Sequence, residues 1–544
     1  MTAAPSHLVI APILIPFFAG ALMLLLDEGQ RRERLALGLA SATALLAVAV
    51  LLLARADRSL LAEGGGMAFY LLGDWAAPVG IVLVLDRLAA LMLLLTALLA
   101  IPALVYSGAG WQRQGRHFQT LFQFLLMGLN GAFLTGDLFN LFVFFEVLLA
   151  ASYGLLLHGS GPDRVGAGLH YIAVNLAASL MFLIGVSLIY GVTGTLNMAH
   201  LAVLIPDLPP EDRALLHTGA AVLGVAFLAK AGTWPLSFWL PGAYAAASPP
   251  VAAMFAILTK VGVYAALRLS MLLFGPGAGA SAGFGAEVLA VGGMATVAFG
   301  LLGVLGSEAL ARMTGHLVLI SSGTTLAAAG FALAGGGPAL LAGALYYLVA
   351  STLAIGALFL LIEPLGRGAG DAVPALAAAV DPYGPDGPAG DAAEVGAAIP
   401  GPVALLGLCF GACLLVVAGM PPLAGFVGKF AILSSLLGGA ALAQAPGAAW
   451  ALLALLLLSG LATLVALVRV GIQAFWAEAA VPLVRPFEVG PVVALVALLV
   501  AMTVAAEDVM RVLDATARAL HALPAHTLGV DLAPRVAGAP GEVP

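Results

Sequence analysis

The sequence predicts an all-α protein that crosses a membrane about fourteen times. Three observations carry that expectation. The 544 residues are 62% hydrophobic and only 9% charged, with a mean hydropathy of +1.10, whereas a soluble domain is typically about 25% charged. Apolar windows of about 20 residues, enough to cross a bilayer core, recur between polar or Gly/Pro-rich breaks. One of them, "FNLFVFFEVLLAASYGLLL" from Phe139 to Leu157, keeps a single acid, Glu146, near its middle. An ionised carboxylate there costs roughly 2.5–3.5 kcal/mol on insertion scales.

In order, the windows lie near 7–26, 35–53, 79–107, 118–135, 138–157, 168–191, 218–241, 250–273, 285–306, 315–334, 339–362, 402–438, 449–472 and 489–506. The first, "LVIAPILIPFFAGALMLLL", is long enough to span, and no small-residue cleavage site follows it, so a span is expected there rather than a secretory signal. Residues 366–400 are polar and rich in Pro and Gly, which predicts an exposed connection. After 507 the chain is mixed, as for a surface helix followed by disorder.

Orientation is read from the arginines. Arg31, Arg32, Arg34, Arg113, Arg116, Arg164, Arg312, Arg367, Arg469 and Arg485 follow odd-numbered spans. Connections after even-numbered spans hold Arg55, Arg58, Arg87 and Arg213, with Arg268 near the end of span eight. The positive-inside rule makes the odd connections cytoplasmic, so both termini are expected outside.

Two spans read as broken. Span seven, "AFLAKAGTWPLSFWLPGAY", contains Pro235 and Pro241; span twelve, "VVAGMPPLAGFVGKFAIL", contains Gly419, Pro421 and Pro422. Interrupted helices in the two halves of a membrane protein point to repeated transporter architecture with ion sites at the breaks. The breaks lie five spans apart, so spans four to eight (118–273) and nine to thirteen (285–472) are expected as inverted repeats. They are flanked by three helices in 1–117 and by a last helix and tail in 473–544.

The charges inside the spans are selective. Of 21 basic residues 18 are Arg; the three lysines, Lys230, Lys260 and Lys429, all lie within apolar segments. Lys changes its protonation readily when buried, whereas Arg stays charged. Glu146 therefore reads either as a neutral carboxyl hydrogen-bonded between helices or as a proton-exchanging partner of a lysine. Lys230 reads as a snorkelling side chain or as that partner. Lys260 and Lys429 extend the series. His316, ahead of Ser321, Ser322, Thr324 and Thr325, is a weaker relay candidate beside an ordinary interhelical hydrogen bond. Asp137 is half a turn out of phase with Glu146 and suits a helix cap.

Other chemistries find no residues. The net charge is −7 with no long basic block, against a nucleic-acid partner. Cys409 and Cys413 lie four apart in an apolar span and read as packing. No His/Cys/carboxylate spacing suits a transition metal, and no phosphate loop, G-x-S-x-G, heme or iron–sulfur motif is present. No catalytic residue, metal or cofactor is expected.

"GLNGAFLTGDLFNLFVFFEVLLAASYGLLL" and "AFLAKAGTWPLSFWLPGAYAAASPPVAAMFAILTKVGVYAALR" resemble the proton-conducting antiporter-like subunits of respiratory complex I, membrane-bound hydrogenases and Mrp-type sodium/proton antiporters. The likeness runs from about residue 75 to 475, with "GMPPLAGFVGKF" as the second broken helix. "DLFNLFVFFEVLLAASYGLL" is most similar to the D-type subunits of Mrp antiporters, and no long C-terminal extension of the kind carried by A-type subunits is seen. The resemblance implies fourteen helices with two inverted five-helix repeats, and a Glu146–Lys230 pair continued by Lys260 and Lys429. It also implies A, B, C, E, F and G-type partner subunits in a prokaryotic cell (inner) membrane, exchanging Na+ or K+ for H+.

Two departures stand out. Many relatives carry His where this chain reads "YYLVASTLAIGALF", which puts Ala350 in place of a relay group. "LPGAY" likewise lacks the final His of the Leu-Pro-Asp-Ala-His common among relatives. The rival reading is a proton-pumping component of a redox-driven complex I-like or hydrogenase enzyme; a third is a scaffold whose charges only lock helices together.

Overall fold

The computed structural model describes residues 7–27, 29–58, 67–75, 77–370, 401–438, 445–475 and 485–521. The helices are α1 (Ala11–Leu25), α2 (Arg31–Arg58), α3 (Arg87–Ser107), α4 (Phe118–Leu134), α5 (Leu138–Leu156), α6 (Pro162–Thr193), α7 (Met198–Leu204), α8 (Pro210–Lys230), α9 (Trp239–Ala246) and α10 (Pro249–Phe274). They continue with α11 (Ala286–Gly306), α12 (Leu310–Phe331), α13 (Pro338–Gly370), α14 (Gly401–Ala418), α15 (Ala424–Gly438), α16 (Pro446–Phe475), α17 (Pro486–Val504) and α18 (Ala506–His521).

Among the described residues, twelve helices are long and apolar enough to cross a membrane. With the shorter apolar α1 and α4, of 15 and 17 residues, they make the fourteen expected crossings. α8 with α9, and α14 with α15, each form one interrupted crossing.

Span three is shorter than expected. Val82–Leu85 is a strand (β2) paired antiparallel with Ala68–Leu71 (β1), and the helix starts only at Arg87. The apolar run conceals this boundary. Its β-branched residues Ile81, Val82 and Val84 favour an extended strand, and Asp86 then stops it by capping α3, accepting from the Ala89 N–H at 2.8 Å. Asp137 caps α5 in the same way, accepting from Asn140 at 2.8 Å.

Span seven also differs in detail. Pro235 lies in the break, but Pro241 sits in the first turn of α9, where a missing N–H costs little. Gly419, Pro421 and Pro422 all fall in the second break. Both preceding half-helices end alike. Gly232 and Gly419 adopt φ of 67° and 76°, a left-handed conformation that suits glycine. The next residues bond back five positions, Thr233 to the Leu228 carbonyl and Met420 to the Leu415 carbonyl, each at 2.9 Å.

α10, α12 and α13 form the centre, buried over 94% of their apolar windows. They are mostly apolar on every side, as a helix enclosed by others must be, with a few buried polar side chains such as Lys260, Ser321 and Ser351 facing one another. α18 lies against α13 and α10 and buries Leu513, Ala517 and Leu520. The expected disorder beyond it, and most of the 366–400 connection, fall outside the described residues.

Candidate functional site

Every lysine of the series is buried, and each finds oxygen partners. Lys230 is the last residue of α8 and is 8% exposed. Its ammonium donates to the Ser179 hydroxyl on α6 at 3.3 Å and stands 5.0 Å from the centroid of the Phe145 ring. Ser179 in turn donates to the Glu146 carboxylate. The pair expected from sequence is thus bridged by a hydroxyl that sequence reasoning missed. Glu146 itself is only half-buried, at the rim of the bundle, with Val143 and Ala150 exposed on the same helix.

Lys260 is fully enclosed on α10. It donates to Ser321 at 2.7 Å and to Ser322 at 3.0 Å, both on α12. Gly262 brings α10 against the first break, since a Cβ there would lie 2.6 Å from the Ala231 nitrogen. Ser321 shares a 2.7 Å hydrogen bond with Ser351 on α13. The polar group of that turn is therefore Ser351, with Ala350 buried beside it and contributing no polar side chain. Tyr347, one turn earlier on α13, presents its ring to the Lys429 ammonium at 5.6 Å.

Lys429, on α15, closes the series. Its ammonium donates to the carbonyls of Ala418 at 2.9 Å and Val417 at 3.5 Å, at the C-terminal end of α14. Cations are stabilised at helix C-termini by the dipole and by unpaired carbonyls. Lys230 has the same advantage as the terminal residue of its own helix.

His316 does not join the chain. Its ring packs near Phe299, and its buried Nδ1 has no hydrogen-bond partner. Cys409 and Cys413 are buried free thiols, as packing residues would be. Among the described residues no group of three His, Cys, Asp or Glu side chains could hold a metal ion.

One cavity touches the series at Lys230, and a second lies across Tyr244 from it. The first, of about 30 Å³, room for about one water, is lined by Lys230, Tyr171, Asn175, Trp239 and Tyr244. The second, about 390 Å³, is lined by Trp111, Tyr244, Ala311, Glu363 and Arg367. Tyr244, which ends the "LPGAY" motif, borders both and hydrogen-bonds Thr259, the neighbour of Lys260, at 2.5 Å.

Glu363 belongs to a polar cluster that the sequence did not reveal. It accepts from Trp111 at 2.8 Å and from Arg367 at 2.6 Å, and Arg367 also grips Glu488 of α17 with bonds of 2.7 and 2.8 Å. A second missed pair, Asp86 with Arg268, is bidentate at 2.7 and 2.8 Å and buried on both sides.

A helical membrane body with two interrupted crossings and three buried lysines, each beside hydroxyl or carbonyl oxygens, defines a membrane component of the antiporter-like class. Comparison with known proteins agrees. A family model described as "NADH:quinone oxidoreductase/Mrp antiporter, TM" matches residues 135–364. The probable K(+)/H(+) antiporter D subunit of Rhizobium meliloti is 55% identical over 540 residues, 98% of this chain and 99% of that one. The Na(+)/H(+) antiporter D subunit of Alkalihalophilus pseudofirmus is 34% identical over 93% of this chain and 95% of its own. Among solved structures, a chain of the Mrp complex from Dietzia sp. superposes with a TM-score of 0.80 at 25% identity, covering 96% of this chain and 99% of that chain. A chain of respiratory complex I from Thermus thermophilus, at 24% identity and a TM-score of 0.71 over 97% of this chain and 99% of its own, shares the fold. The chain belongs to the D-subunit family of the Mrp-type multisubunit monovalent cation/proton antiporters.

Proposed function

We propose that this chain is the proton-translocating component of a multisubunit cation/proton antiporter, and that protons move along Glu146, Lys230, Lys260 and Lys429. The observation that carries this is that each buried lysine of the series sits in its own cluster of polar partners. Glu146, Ser179 and Lys230 form one linked group; Lys260, Ser321 and Ser351 form the next. A buried amine near a carboxylate stays charged, and one separated from it tends to lose its proton. Any shift of Glu146 relative to Lys230 changes the proton affinity of Lys230 and, through it, that of Lys260 and Lys429. The hydroxyls can each donate and accept, so they substitute for the histidines found in many relatives.

The half-buried carboxylate supports a partner. A charge at membrane depth facing lipid is costly, so the rim of α5 and α6 at Glu146 is covered by a neighbouring subunit of the A, B, C, E, F or G type. We place the complex in a prokaryotic cell (inner) membrane with both termini outside. Potassium is the favoured cation, because the 55% identical relative is named for it.

The test uses the whole complex in inverted vesicles from an antiporter-deficient strain, made acid inside and then left without electron donor. Collapse of the pH gradient on adding K+ or Na+ supports exchange. Absence of collapse with either ion, in a fully assembled complex, moves the chain to a redox-driven pump.

A further inference from the structure

Away from the lysine series, a polar cavity of about 270 Å³ lies where α2 begins and the α3–α4 connection returns. Arg31, Arg34, Arg113 and Arg116 line it with His117, and among the described residues no acidic side chain does. The N-terminus of α4 opens onto the same place, with Phe118 in the lining and no side-chain cap on the helix. Backbone N–H groups and the helix dipole there favour an anion. A second, independent observation concerns Arg34. It is 8% exposed, its Nη2 donates to the Leu26 carbonyl, and its buried Nε has no partner. A buried guanidinium N–H left without an acceptor is costly and calls for an oxygen ligand.

The position restricts the ligand. The apolar run of α2 starts at Leu35 and that of α4 at Phe118, so the cavity lies at the boundary between membrane and water. Arginine forks match phosphate oxygens with paired hydrogen bonds, and basic pockets between membrane helices suit anionic headgroups. Gln112 and Gln119, also in the lining, each keep a buried amide oxygen without a partner, ready to accept from hydroxyl groups. We propose that this cavity is a phosphate site that takes the hydroxylated headgroup of an anionic phospholipid, of the phosphatidylglycerol kind.

The experiment uses the assembled complex, delipidated in detergent and titrated with phosphatidylglycerol, phosphatidylcholine or glycerol 3-phosphate, with bound lipid counted by native mass spectrometry. One tightly held phosphatidylglycerol should be lost in the Arg31→Gln/Arg113→Gln double variant, with affinity down about tenfold for each arginine. Arg32→Gln, which removes one positive charge from outside the cavity, should keep it. Displacement by glycerol 3-phosphate would show that the phosphate ester itself is the recognised group. Equal retention of phosphatidylcholine, or unchanged retention in the double variant, overturns the proposal. Should that variant not assemble, the wild-type complex decides: phosphatidylglycerol must protect Arg31 and Arg113 from a dicarbonyl reagent, and absence of protection overturns it equally.

Discussion

Ser179 accepts a 3.3 Å hydrogen bond from Lys230 while giving its own proton to Glu146. A single hydroxyl on α6 thus joins the two groups that the sequence marks as a pair. Ser179→Ala leaves acid and amine in place and removes the link between them. Because hydrogen bonds to charged groups contribute roughly 1.5–3 kcal/mol, exchange should slow by about tenfold or more. Ser179→Thr, which keeps the hydroxyl, should retain most of the rate. The check is the initial rate of gradient collapse in vesicles with matched amounts of complex; equal rates for the alanine and threonine variants would deny Ser179 its bridging role.

At Lys260 the distinction is between carrying a charge and exchanging a proton. Lys260→Arg supplies a cation that does not deprotonate beside Ser321 and Ser322. Assembly is expected to persist and exchange to vanish. Blue-native electrophoresis combined with the vesicle assay separates the two, and normal exchange with arginine in place would mean that Lys260 never releases its proton.

Tyr244 separates the cavity at Glu363 from the cavity at Lys230. Tyr244→Phe keeps the ring and removes the hydroxyl that meets Thr259. If protons reach the lysines from the Glu363 side, the variant should lower the exchange rate several-fold without shifting the cation concentration at half-maximal rate. A change in cation dependence alone would place Tyr244 on the cation path instead.

The four in-span charges could be read from the sequence because an isolated Glu or Lys contrasts with an apolar run. Their partners could not. Serines such as Ser179, Ser321 and Ser351 are ordinary in membrane helices, and only helix packing shows which ones face an ammonium. The pairs Asp86–Arg268 and Arg367–Glu488 join residues 182 and 121 positions apart, a separation that no local pattern reveals. Strand Val82–Leu85 was hidden for a different reason, since hydropathy does not distinguish an apolar strand from the helix that follows it. Gly419, which ends α14, could be named at its interrupted span, whereas Gly232, which ends α8, is overshadowed there by Pro235 and Pro241.

The Asp86–Arg268 pair is expected to hold the fold rather than to move protons. Removing one partner of a buried ion pair leaves an uncompensated charge and costs about 3–5 kcal/mol. Arg268→Gln should therefore lower the thermal unfolding midpoint of the detergent-solubilised complex and reduce its yield, while exchange per assembled complex stays near normal. Loss of exchange with an unchanged midpoint would assign Arg268 to transport.

Outside the spans, acid should act through His158. Its ring donates to the Trp111 carbonyl at 2.9 Å and packs on Phe118 at 4.9 Å between ring centroids. Burial, with Arg164 nearby as a lesser cause, lowers its pKa below the usual 6.5. The unfolded chain then binds the proton more readily, so stability is full above about pH 6.5 and declines as the pH falls toward the lowered value. Thermal unfolding followed from pH 7.5 to 5 should show this decline, and His158→Gln should flatten it over that interval.

The most direct test of the central claim compares wild type with Glu146→Gln and Lys230→Ala in the same acid-loaded inverted vesicles, at equal assembly and with no electron donor. The account predicts collapse of the pH gradient on adding cation in wild type and none in either variant. Collapse at the wild-type rate in an assembled Glu146→Gln or Lys230→Ala complex would contradict it.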